Sequence, residues 1–262
     1  MPADDLTLLH EAAEAAGRIA ARHFGAGPES WDKGNGQGPV SAADLEVDRM
    51  LQHELLAARP DYGWLSEESA DTPERLQAER VFIVDPIDGT RAFLEGQRGF
   101  AHALAIVRNG VPEAAVVHLP LLGLTYAATL GGGATLNGRP VRTPARATVS
   151  GARILATRPQ LAPALWPGGV PDVSRHFRPS LAWRLCLVAD GSFDGMLTLR
   201  PAWEWDIAAA SLIATEAGAQ VSDRSGMALR FNAPHPQTPG VLAGPEGVHR
   251  GLLERLLPGG AA

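Results

Sequence analysis

Cysteine, lysine and tyrosine are all scarce in this chain. Its 262 residues include a single cysteine, Cys186, so an intramolecular disulfide is excluded. A lone thiol between Leu185 and Leu187 is typical of a small apolar core residue. The first five residues include two aspartates and lack the basic start and the long apolar stretch of a secretory signal, so we expect a cytoplasmic protein.

Positive charge is also in deficit. The chain has 23 Lys+Arg against 29 Asp+Glu, which gives a formal net charge of −6. Because nucleic acid polymers and anionic membrane surfaces are bound through clustered basic residues, this balance argues against both as the main partner. A small anionic ligand stays compatible with it, since a bound cation can invert the local charge.

Long hydrophobic segments are missing as well. The uncharged stretch 114–138 comes nearest, but it contains His118, Pro120, Asn137 and a run of three glycines, which favours buried strands joined by turns. Apolar residues make up 45% of the chain and charged residues 20%, which is typical of a soluble globular protein with a sizeable core.

Apolar periodicity predicts helices that alternate with short strands. Two segments with helical spacing lie at 6–24 and 207–217. A third helix is expected after Ser41, with an apolar stripe made of Val47, Met50, Leu51 and Leu55. Strands are expected at the short apolar runs 81–84, 103–107, 114–119, 125–130 and 195–199.

The chain contains neither an internal repeat nor a low-complexity linker. We therefore expect a single unit over 1–262, with an N-terminal α+β half at about 1–145 and a C-terminal α/β half at about 146–262. A Gly-rich loop at 33–39 holds Lys33, the only lysine of the chain. Since every other basic residue is arginine, the exception indicates both a coding bias toward arginine and a place where a compact ammonium group matters.

The most informative stretch is 85–90, with the sequence Asp-Pro-Ile-Asp-Gly-Thr, at the end of the predicted buried strand. Ligands of α/β proteins bind at strand ends, and carboxylate and carbonyl oxygens suit Mg²⁺. Gly89 would let the backbone approach a ligand closely, and the N–H groups that follow it could hold an anion. The alternative is that Asp85 and Asp88 are ordinary turn and cap residues.

Acidic residues elsewhere in the chain have structural alternatives of the same kind. Glu67 and Glu68 follow an apolar segment, and the alternative is a solvated loop, above all for Glu68. Asp206 opens a helix of small residues, where aspartate is a favoured N-cap. Asp44 ends a Ser-Ala-Ala-Asp sequence with the form of a capping box.

Taken together, Lys33, Asp44, the two glutamates, the 85–90 motif and the later Trp205-Asp206 pair resemble the inositol monophosphatase family of metal-dependent phosphatases. The resemblance runs from the first helix to the last strands. It implies a layered αβαβα sandwich of the α+β class and hydrolysis of a phosphate monoester that depends on two or three Mg²⁺ ions. The implied partner is a small phosphorylated metabolite, and a homodimer stays open.

The resemblance also implies roles for individual residues. The metal ligands would be Glu67, Asp85, Ile87 through its carbonyl, Asp88 and Asp206. The residues that orient and deprotonate the attacking water would be Asp44 and Thr90, with Glu67 counted among the catalytic groups. The substrate would contact Asp88, Gly89, Thr90 and Lys33.

One departure from the family pattern bears on the substrate. Inositol monophosphatases usually carry a glutamate seven residues before the Trp-Asp aspartate, but Leu199 stands there and cannot accept hydrogen bonds from inositol hydroxyls. The other motifs are similar to the bacterial 3'(2'),5'-bisphosphate nucleotidase branch, so we expect removal of the 3'-phosphate from adenosine 3',5'-bisphosphate. Candidate contacts for the second phosphate are Arg175, Arg178, Arg184 and Arg200.

Four alternatives accompany this expectation. The chain could be an inositol-1-phosphate phosphatase of the same family, or a catalytically inactive protein that binds a phosphometabolite. Histidinol-phosphatase relatives share the first motif but typically lack the Trp-Asp pair. A dinucleotide-binding oxidoreductase fails, because the glycine runs at 34–38 and 131–133 do not have the G-x-G-x-x-G spacing after a strand.

Overall fold

The computed structural model describes residues 4–34 and 38–257, so the centre of the predicted Gly-rich loop, 35–37, lies outside the described residues. The described ranges contain three short 3₁₀ turns, at Pro73–Gln77, Arg158–Leu161 and Pro163–Leu165. They also contain the helices α1 (Asp5–His23), α2 (Ala42–Ala58), α3 (Thr90–Leu94), α4 (Leu181–Ala189), α5 (Glu204–Glu216) and α6 (Glu246–Leu256).

The strands of the described ranges form two larger sheets and two short ribbons. In chain order they are β1 (Ser30–Asp32), β2 (Pro39–Ser41), β3 (Gly63–Ser66), β4 (Arg80–Asp88), β5 (Ala101–Arg108), β6 (Val111–Leu119), β7 (Leu124–Thr129), β8 (Gly133–Leu136), β9 (Arg139–Val141), β10 (Ala152–Leu155), β11 (Val173–His176), β12 (Gly195–Thr198), β13 (Ala202–Trp203), β14 (Gln220–Ser222), β15 (Gln237–Thr238) and β16 (Val241–Gly244). The larger sheet has the order β3-β4-β5-β6-β7-β8-β9 and the smaller sheet has the order β11-β10-β12-β16-β14. The ribbons pair β1 with β2 and β13 with β15.

The larger sheet is buried on both faces. Its first two strands, β3 and β4, run parallel, and the other neighbours are antiparallel. On β4, Phe82 and Val84 pack in the apolar cluster that includes α1 and α2. Val81 and Ile83 belong to the cluster that includes α4 and α5. Because successive side chains of a strand point to opposite faces, the all-apolar run 81–84 fills both cores, as the sequence predicted.

Five layers follow from how the smaller sheet packs. Leu155 and Met196 join the cluster of α4 and α5, so these helices lie between the two sheets. Ile154 and Leu197 point to the other face, where they pack with Val248 of α6. The order of layers is α1 with α2, the larger sheet, α4 with α5, the smaller sheet, and α6. This arrangement confirms the predicted αβαβα sandwich.

Two boundaries near the acidic motifs differ from the sequence expectation. Strand β4 does not end before the motif: its register is irregular between Asp85 and Asp88, and Asp88 then pairs again with Ala101 of β5. Helix α5 begins at Glu204 and its N-cap is Trp203, so Asp206 lies within the first turn and the N-cap interpretation of Asp206 is wrong. The short ribbon of β13 and β15 leads into α5, and it starts the helix earlier than its apolar pattern indicates.

The uncharged stretch 114–138 and Cys186 both lie where the sequence leads us to expect them. The uncharged stretch 114–138 forms parts of β6, β7 and β8 with turns between them. No helix within the described ranges combines the length and the hydrophobicity needed to cross a membrane. Cys186 is fully buried on α4, as expected for a core residue. Burial raises the pKa of this thiol well above its ordinary value, which disfavours a nucleophilic role.

Candidate active site

Three acidic side chains converge at one end of the first two strands of the larger sheet. Ser66 and Val84 are paired across the parallel strands β3 and β4, so the residues that follow them, Glu67 and Asp85, lie side by side. Asp206 reaches the same place from the first turn of α5, which packs between the sheets. One carboxylate oxygen from each of the three residues lies within 4.8 Å of the others.

Burial and mutual repulsion make this cluster unfavourable unless its charge is neutralised. Burial raises the pKa of Asp85 well above its ordinary value, and the charges of Glu67, Asp88 and Asp206 raise it further. The pKa of Asp206 is also raised well above its ordinary value, first by burial and then by the charge of Asp88. The Oδ1 atom of Asp85 is buried and has no hydrogen-bond partner among residues 4–34 and 38–257.

This donor set fits a divalent metal. A buried carboxylate oxygen that lacks a partner within the described residues, next to two further carboxylates, offers the hard oxygen ligands that Mg²⁺ prefers. Ile87 and Asp88 follow Asp85 on the same strand, and Asp88 is anchored to α4. Its Oδ2 accepts hydrogen bonds from the Ser180 hydroxyl and from the Ala182 N–H, each at 2.6 Å. That Ile87 and Asp88 are metal ligands stays a prediction.

Lys33 lies against the acidic cluster. Its Nζ donates hydrogen bonds to Oε1 of Glu67 and to Oε1 of Glu68, both at 2.7 Å. Burial lowers the pKa of Lys33, but the two glutamates outweigh burial and the net shift is upward. The Glu68 side chain is only 4% exposed, so the solvated-loop interpretation is wrong for this residue. Burial and the charge of Glu67 raise the pKa of Glu68 to about 7.

Asp44 makes two kinds of contact, one that caps helix α2 and one with Thr90. It completes the capping box of α2, in which the Ser41 hydroxyl and N–H bond with the aspartate. Its other oxygen, Oδ1, accepts a hydrogen bond from Oγ1 of Thr90 at 3.0 Å. Burial raises the pKa of Asp44 to about 6, although the Ser41 and Thr90 hydrogen bonds oppose the shift. The capping role and the Thr90 contact therefore coexist.

Gly89 fixes the backbone between the acidic strand and helix α3. Its φ of 100° lies in the left-handed region, which favours glycine. A Cβ built there would have only ordinary contacts of 3.6–3.7 Å, so backbone conformation rather than space selects glycine. Its carbonyl accepts the N–H of Phe93, and Gly89 lines the cavity described next. The predicted phosphate contacts at Gly89 and Thr90 stay predictions.

A cavity of about 340 Å³ lies over the acidic cluster, and its wall includes Glu67, Asp88 and Asp206. The rest of the wall comes from the C-terminal part of the chain. Residues there that sequence reasoning missed include Thr157, Gln160, Leu181, Leu197, Thr198 and Trp203. They carry no motif of their own, because only the packing of the smaller sheet and α5 brings them to the cavity.

The four candidate arginines separate into two groups. Arg184 and Arg200 line the cavity. Arg175 lines a different groove and donates to a backbone carbonyl, and Arg178 lies over two aromatic rings. Leu199 is buried in the apolar cluster beneath α6. The structure thus leaves two arginines at the cavity as candidates for binding a second anionic group.

Asp48 is a further buried acid near the site, one helical turn after Asp44 on α2 and 4% exposed. Its Oδ1 accepts the hydroxyl of Ser66 and its Oδ2 accepts the hydroxyl of Ser69, both at 2.5 Å. These two serines stand on either side of Glu67 in the chain. Asp48 therefore holds the loop that carries Glu67, a contact that the sequence pattern did not indicate.

Loss of this anchor should loosen the metal ligand. We expect Asp48→Ala to raise the Mg²⁺ concentration for half-maximal activity by about 10- to 100-fold, the range for an outer partner of a metal ligand. Titration of Mg²⁺ in a phosphate-release assay measures the change. The exposed residue Glu54, on the same helix, provides the matched control Glu54→Ala, which should leave the Mg²⁺ requirement unchanged. An unchanged requirement in Asp48→Ala would contradict the positioning role.

Known proteins share both the sequence pattern and the fold. The profile of the Inositol monophosphatase family matches residues 3–258. The Inositol-1-monophosphatase of Rhizobium meliloti (strain 1021) is 37% identical over 245 residues, which cover 84% of this chain and 86% of that protein. The 3'-phosphoadenosine 5'-phosphate phosphatase of Mycobacterium tuberculosis (strain CDC 1551 / Oshkosh) is 33% identical over 217 residues, covering 77% and 75%.

A solved structure extends the likeness over the whole fold. The extragenic suppressor protein suhB from Bartonella henselae superposes with a TM-score of 0.83 and 29% identity, and the match covers 98% of this chain and 100% of that one. The profile, the relatives and the five-layer fold agree with the acidic site described above. The chain belongs to the inositol monophosphatase family of phosphatases.

Proposed function

We propose that the protein is a Mg²⁺-dependent phosphomonoesterase that removes the 3'-phosphate from adenosine 3',5'-bisphosphate. The observation that carries the hydrolytic part is the cluster of Glu67, Asp85 and Asp206, in which an Asp85 oxygen has no hydrogen-bond partner in the described part of the chain. Thr90 ends the 85–90 motif, and its buried hydrogen bond to Asp44 supplies a route for a proton. The chain belongs to a family of phosphatases, which supports a hydrolytic role for these residues.

Metal ions would bind at the acidic cluster and at the residues that follow Asp85 on β4. Glu67, Asp85, Asp88, Asp206 and the Ile87 carbonyl would hold them. When bound, Mg²⁺ would lower the pKa of a water and neutralise charge at the leaving oxygen. The Lys33 ammonium, which bonds to Glu67, limits the repulsion within the same cluster. The proposal includes two or three ions.

The chain's own residues would move the proton. Thr90 donates its hydroxyl hydrogen to Asp44, which leaves the Oγ1 lone pairs able to accept a hydrogen bond from the attacking water. Asp44 then receives the proton through Thr90. A pKa of about 6 suits a general base that works near neutral pH. Gly89 and Thr90 would orient the substrate phosphate at the start of α3.

The bisphosphate part of the proposal rests on two features of the structure. Arg184 and Arg200 line it, so a second phosphate would meet two guanidinium groups. Leu199 is buried in the apolar cluster between the smaller sheet and α6 rather than at the cavity wall, so this position offers no acceptor for a polyol hydroxyl. Both features favour a ligand with a second anionic group over a substrate that is recognised by its hydroxyls.

A second candidate is inositol 1-phosphate. The relative from Rhizobium meliloti is named for this activity and is more similar to this chain than the mycobacterial relative named for the bisphosphate. The metal site and the Thr90–Asp44 pair would act in the same way on either substrate. The two candidates therefore differ only in how the cavity walls recognise the organic group.

The test is a substrate panel at fixed Mg²⁺. Phosphate release is compared for adenosine 3',5'-bisphosphate, inositol 1-phosphate, fructose 1,6-bisphosphate and histidinol phosphate, each with and without Mg²⁺. Lithium is included because the family resemblance leads us to expect inhibition. A strong preference for inositol 1-phosphate would overturn the substrate proposed here. Absence of Mg²⁺-dependent release from all four would favour a catalytically inactive binding protein.

The general base predicts how activity depends on pH. Asp44 must be ionised to accept a proton, and burial has raised its pKa from 3.8 to about 6. We therefore expect kcat/KM to fall about tenfold for each pH unit below about 6, as measured in a pH–rate profile. Ser41→Ala removes the hydroxyl that donates to the ionised carboxylate but keeps the backbone N–H, so it should move this limb to higher pH. A limb that stays near pH 4 would contradict Asp44 as the base.

Three further expectations from the sequence belong to this proposal. They are a single unit over 1–262 with halves at about 1–145 and 146–262, a cytoplasmic location, and a homodimer as an open option. Each stays a prediction. Limited proteolysis, fractionation of cell extracts and light scattering would test them in turn.

A further inference from the structure

Two tryptophans form a flat aromatic stack beside the cavity. The ring centroids of Trp203 and Trp205 lie 4.7 Å apart, and their planes differ by only 9°. His235 meets the Trp203 ring edge-on at 5.6 Å. Trp205 packs against the core between the two sheets, whereas Trp203 lines the cavity. The core therefore fixes one ring of the stack, and that ring supports the other at the cavity wall.

The cavity wall near Trp203 combines apolar surface with positive charge. Leu197, Pro201 and Ala202 line the cavity together with Trp203, and Arg200 and Arg184 line it as well. The Arg184 guanidinium is fixed, because its Nε and Nη2 donate to two backbone carbonyls of the preceding loop. An aromatic surface next to guanidinium groups suits a planar base joined to phosphates. The apolar side chains offer no hydrogen-bonding partner to a polyol, whose hydroxyls would depend on the polar part of the wall, Thr157, Gln160 and Thr198.

We propose that Trp203 is the stacking platform for the base of a nucleoside phosphate bound in this cavity. The inference rests on the proposed phosphatase function, because the acidic cluster in the same cavity must hold the phosphate that is removed. Trp205 keeps the Trp203 ring in place. A volume of about 340 Å³ lies within the roughly 300–1,000 Å³ of pockets that hold ligands larger than a single small ring.

The test separates the base from the phosphates. Adenosine 3',5'-bisphosphate has a base and two phosphates, whereas fructose 1,6-bisphosphate has two phosphates and no base. We expect the wild type to prefer the nucleotide. Trp203→Leu, which keeps bulk but removes the ring, should lower the ratio of the two kcat/KM values by about 5- to 150-fold, chiefly through KM of the nucleotide. Trp203→Phe, which keeps a ring, should retain most of the ratio.

A structural role for Trp203 gives a different result. If the substitution acts by displacing Asp206 three residues later, both substrates lose kcat/KM alike and the ratio is unchanged, which overturns the proposal. A wild type that hydrolyses fructose 1,6-bisphosphate as well as the nucleotide overturns it too. Measuring binding of adenosine 3',5'-bisphosphate by calorimetry keeps the test independent of turnover. If no substrate is hydrolysed with Mg²⁺, the phosphatase proposal fails, while Trp203→Leu still decides the platform by losing or keeping nucleotide affinity.

Discussion

Replacement of Asp85 by asparagine should abolish Mg²⁺-dependent phosphate release while the fold persists. The substitution keeps the size of the side chain and removes the charge of the most deeply buried member of the acidic cluster, which is 1% exposed. Loss of an outer partner of a metal ligand typically costs about 10- to 100-fold, so loss of the ligand itself should exceed about 100-fold in kcat/KM. Steady-state phosphate release over a range of Mg²⁺ concentrations measures the effect.

The same variant has a second expected property that tests the electrostatic argument. Because burial and neighbouring charges raise the pKa of Asp85, its ionised form destabilises the metal-free protein at neutral pH. Asp85→Asn should therefore melt at least about 3 °C higher than the wild type without metal, since 1 kcal/mol corresponds to about 2–4 °C at this size. Added Mg²⁺ should raise the melting temperature of the wild type only.

Three measurements on Asp85→Asn distinguish loss of metal-dependent chemistry from other effects. Circular dichroism of Asp85→Asn should match the wild type, which separates loss of chemistry from loss of fold. Near-normal turnover in a folded variant would remove Asp85 from the metal site. A lower melting temperature of Asp85→Asn without metal would contradict the electrostatic argument, because it would mean that the ionised Asp85 stabilises the metal-free protein.

Loss of the Thr90 hydroxyl should produce the other large effect. Thr90→Val keeps the shape of the side chain but cannot pass a proton to Asp44, which lies 3.0 Å away. General acid–base catalysis typically contributes about 10²- to 10⁴-fold, so we expect kcat to fall within that range. Asp44→Asn should cost a similar factor, because it removes the proton acceptor.

Two comparisons show whether these residues act as one unit. Thr90→Ser retains the hydroxyl and should keep most of the activity. The double variant Thr90→Val/Asp44→Asn should be no slower than the worse single variant, since members of one catalytic unit are not additive. Additive losses would mean that Thr90 and Asp44 contribute separately. Mg²⁺ affinity should stay near the wild-type value in all of these variants.

Fold prediction from the sequence succeeded where burial repeats along the chain. The apolar run 81–84 forms β4 inside both cores, and the stripe that begins at Val47 packs α2 against the larger sheet. Prediction failed at the ends of β4 and α5, because pairing with residues distant in the sequence sets these boundaries. Asp88 re-enters the ladder by pairing with Ala101, and α5 starts at Glu204 because the ribbon of β13 and β15 precedes it. Neither partner is visible in the local pattern.

The candidate site shows the same division. The family resemblance named Glu67 and Asp85 as metal ligands, and the parallel pairing of β3 with β4 in the structure explains why they lie side by side. The motifs also named Asp206, which the structure brings to the same cluster. The sequence did not indicate that Asp48 holds the loop of Glu67 or that Trp203 lines the cavity. Ordinary residues such as these acquire a role only through their neighbours in space.

Through its resemblance to the inositol monophosphatase family, the sequence by itself determined the class of chemistry and the layer order. Motif residues and apolar periodicity are local properties that can be read along the chain, but periodicity alone predicted only individual helices and strands. Only the tertiary structure decided which arginines reach the cavity: Arg184 and Arg200 line it, while Arg175 and Arg178 lie elsewhere. The physical reason is that a surface arginine and a ligand-binding arginine look alike in sequence, and only packing gives them different neighbours.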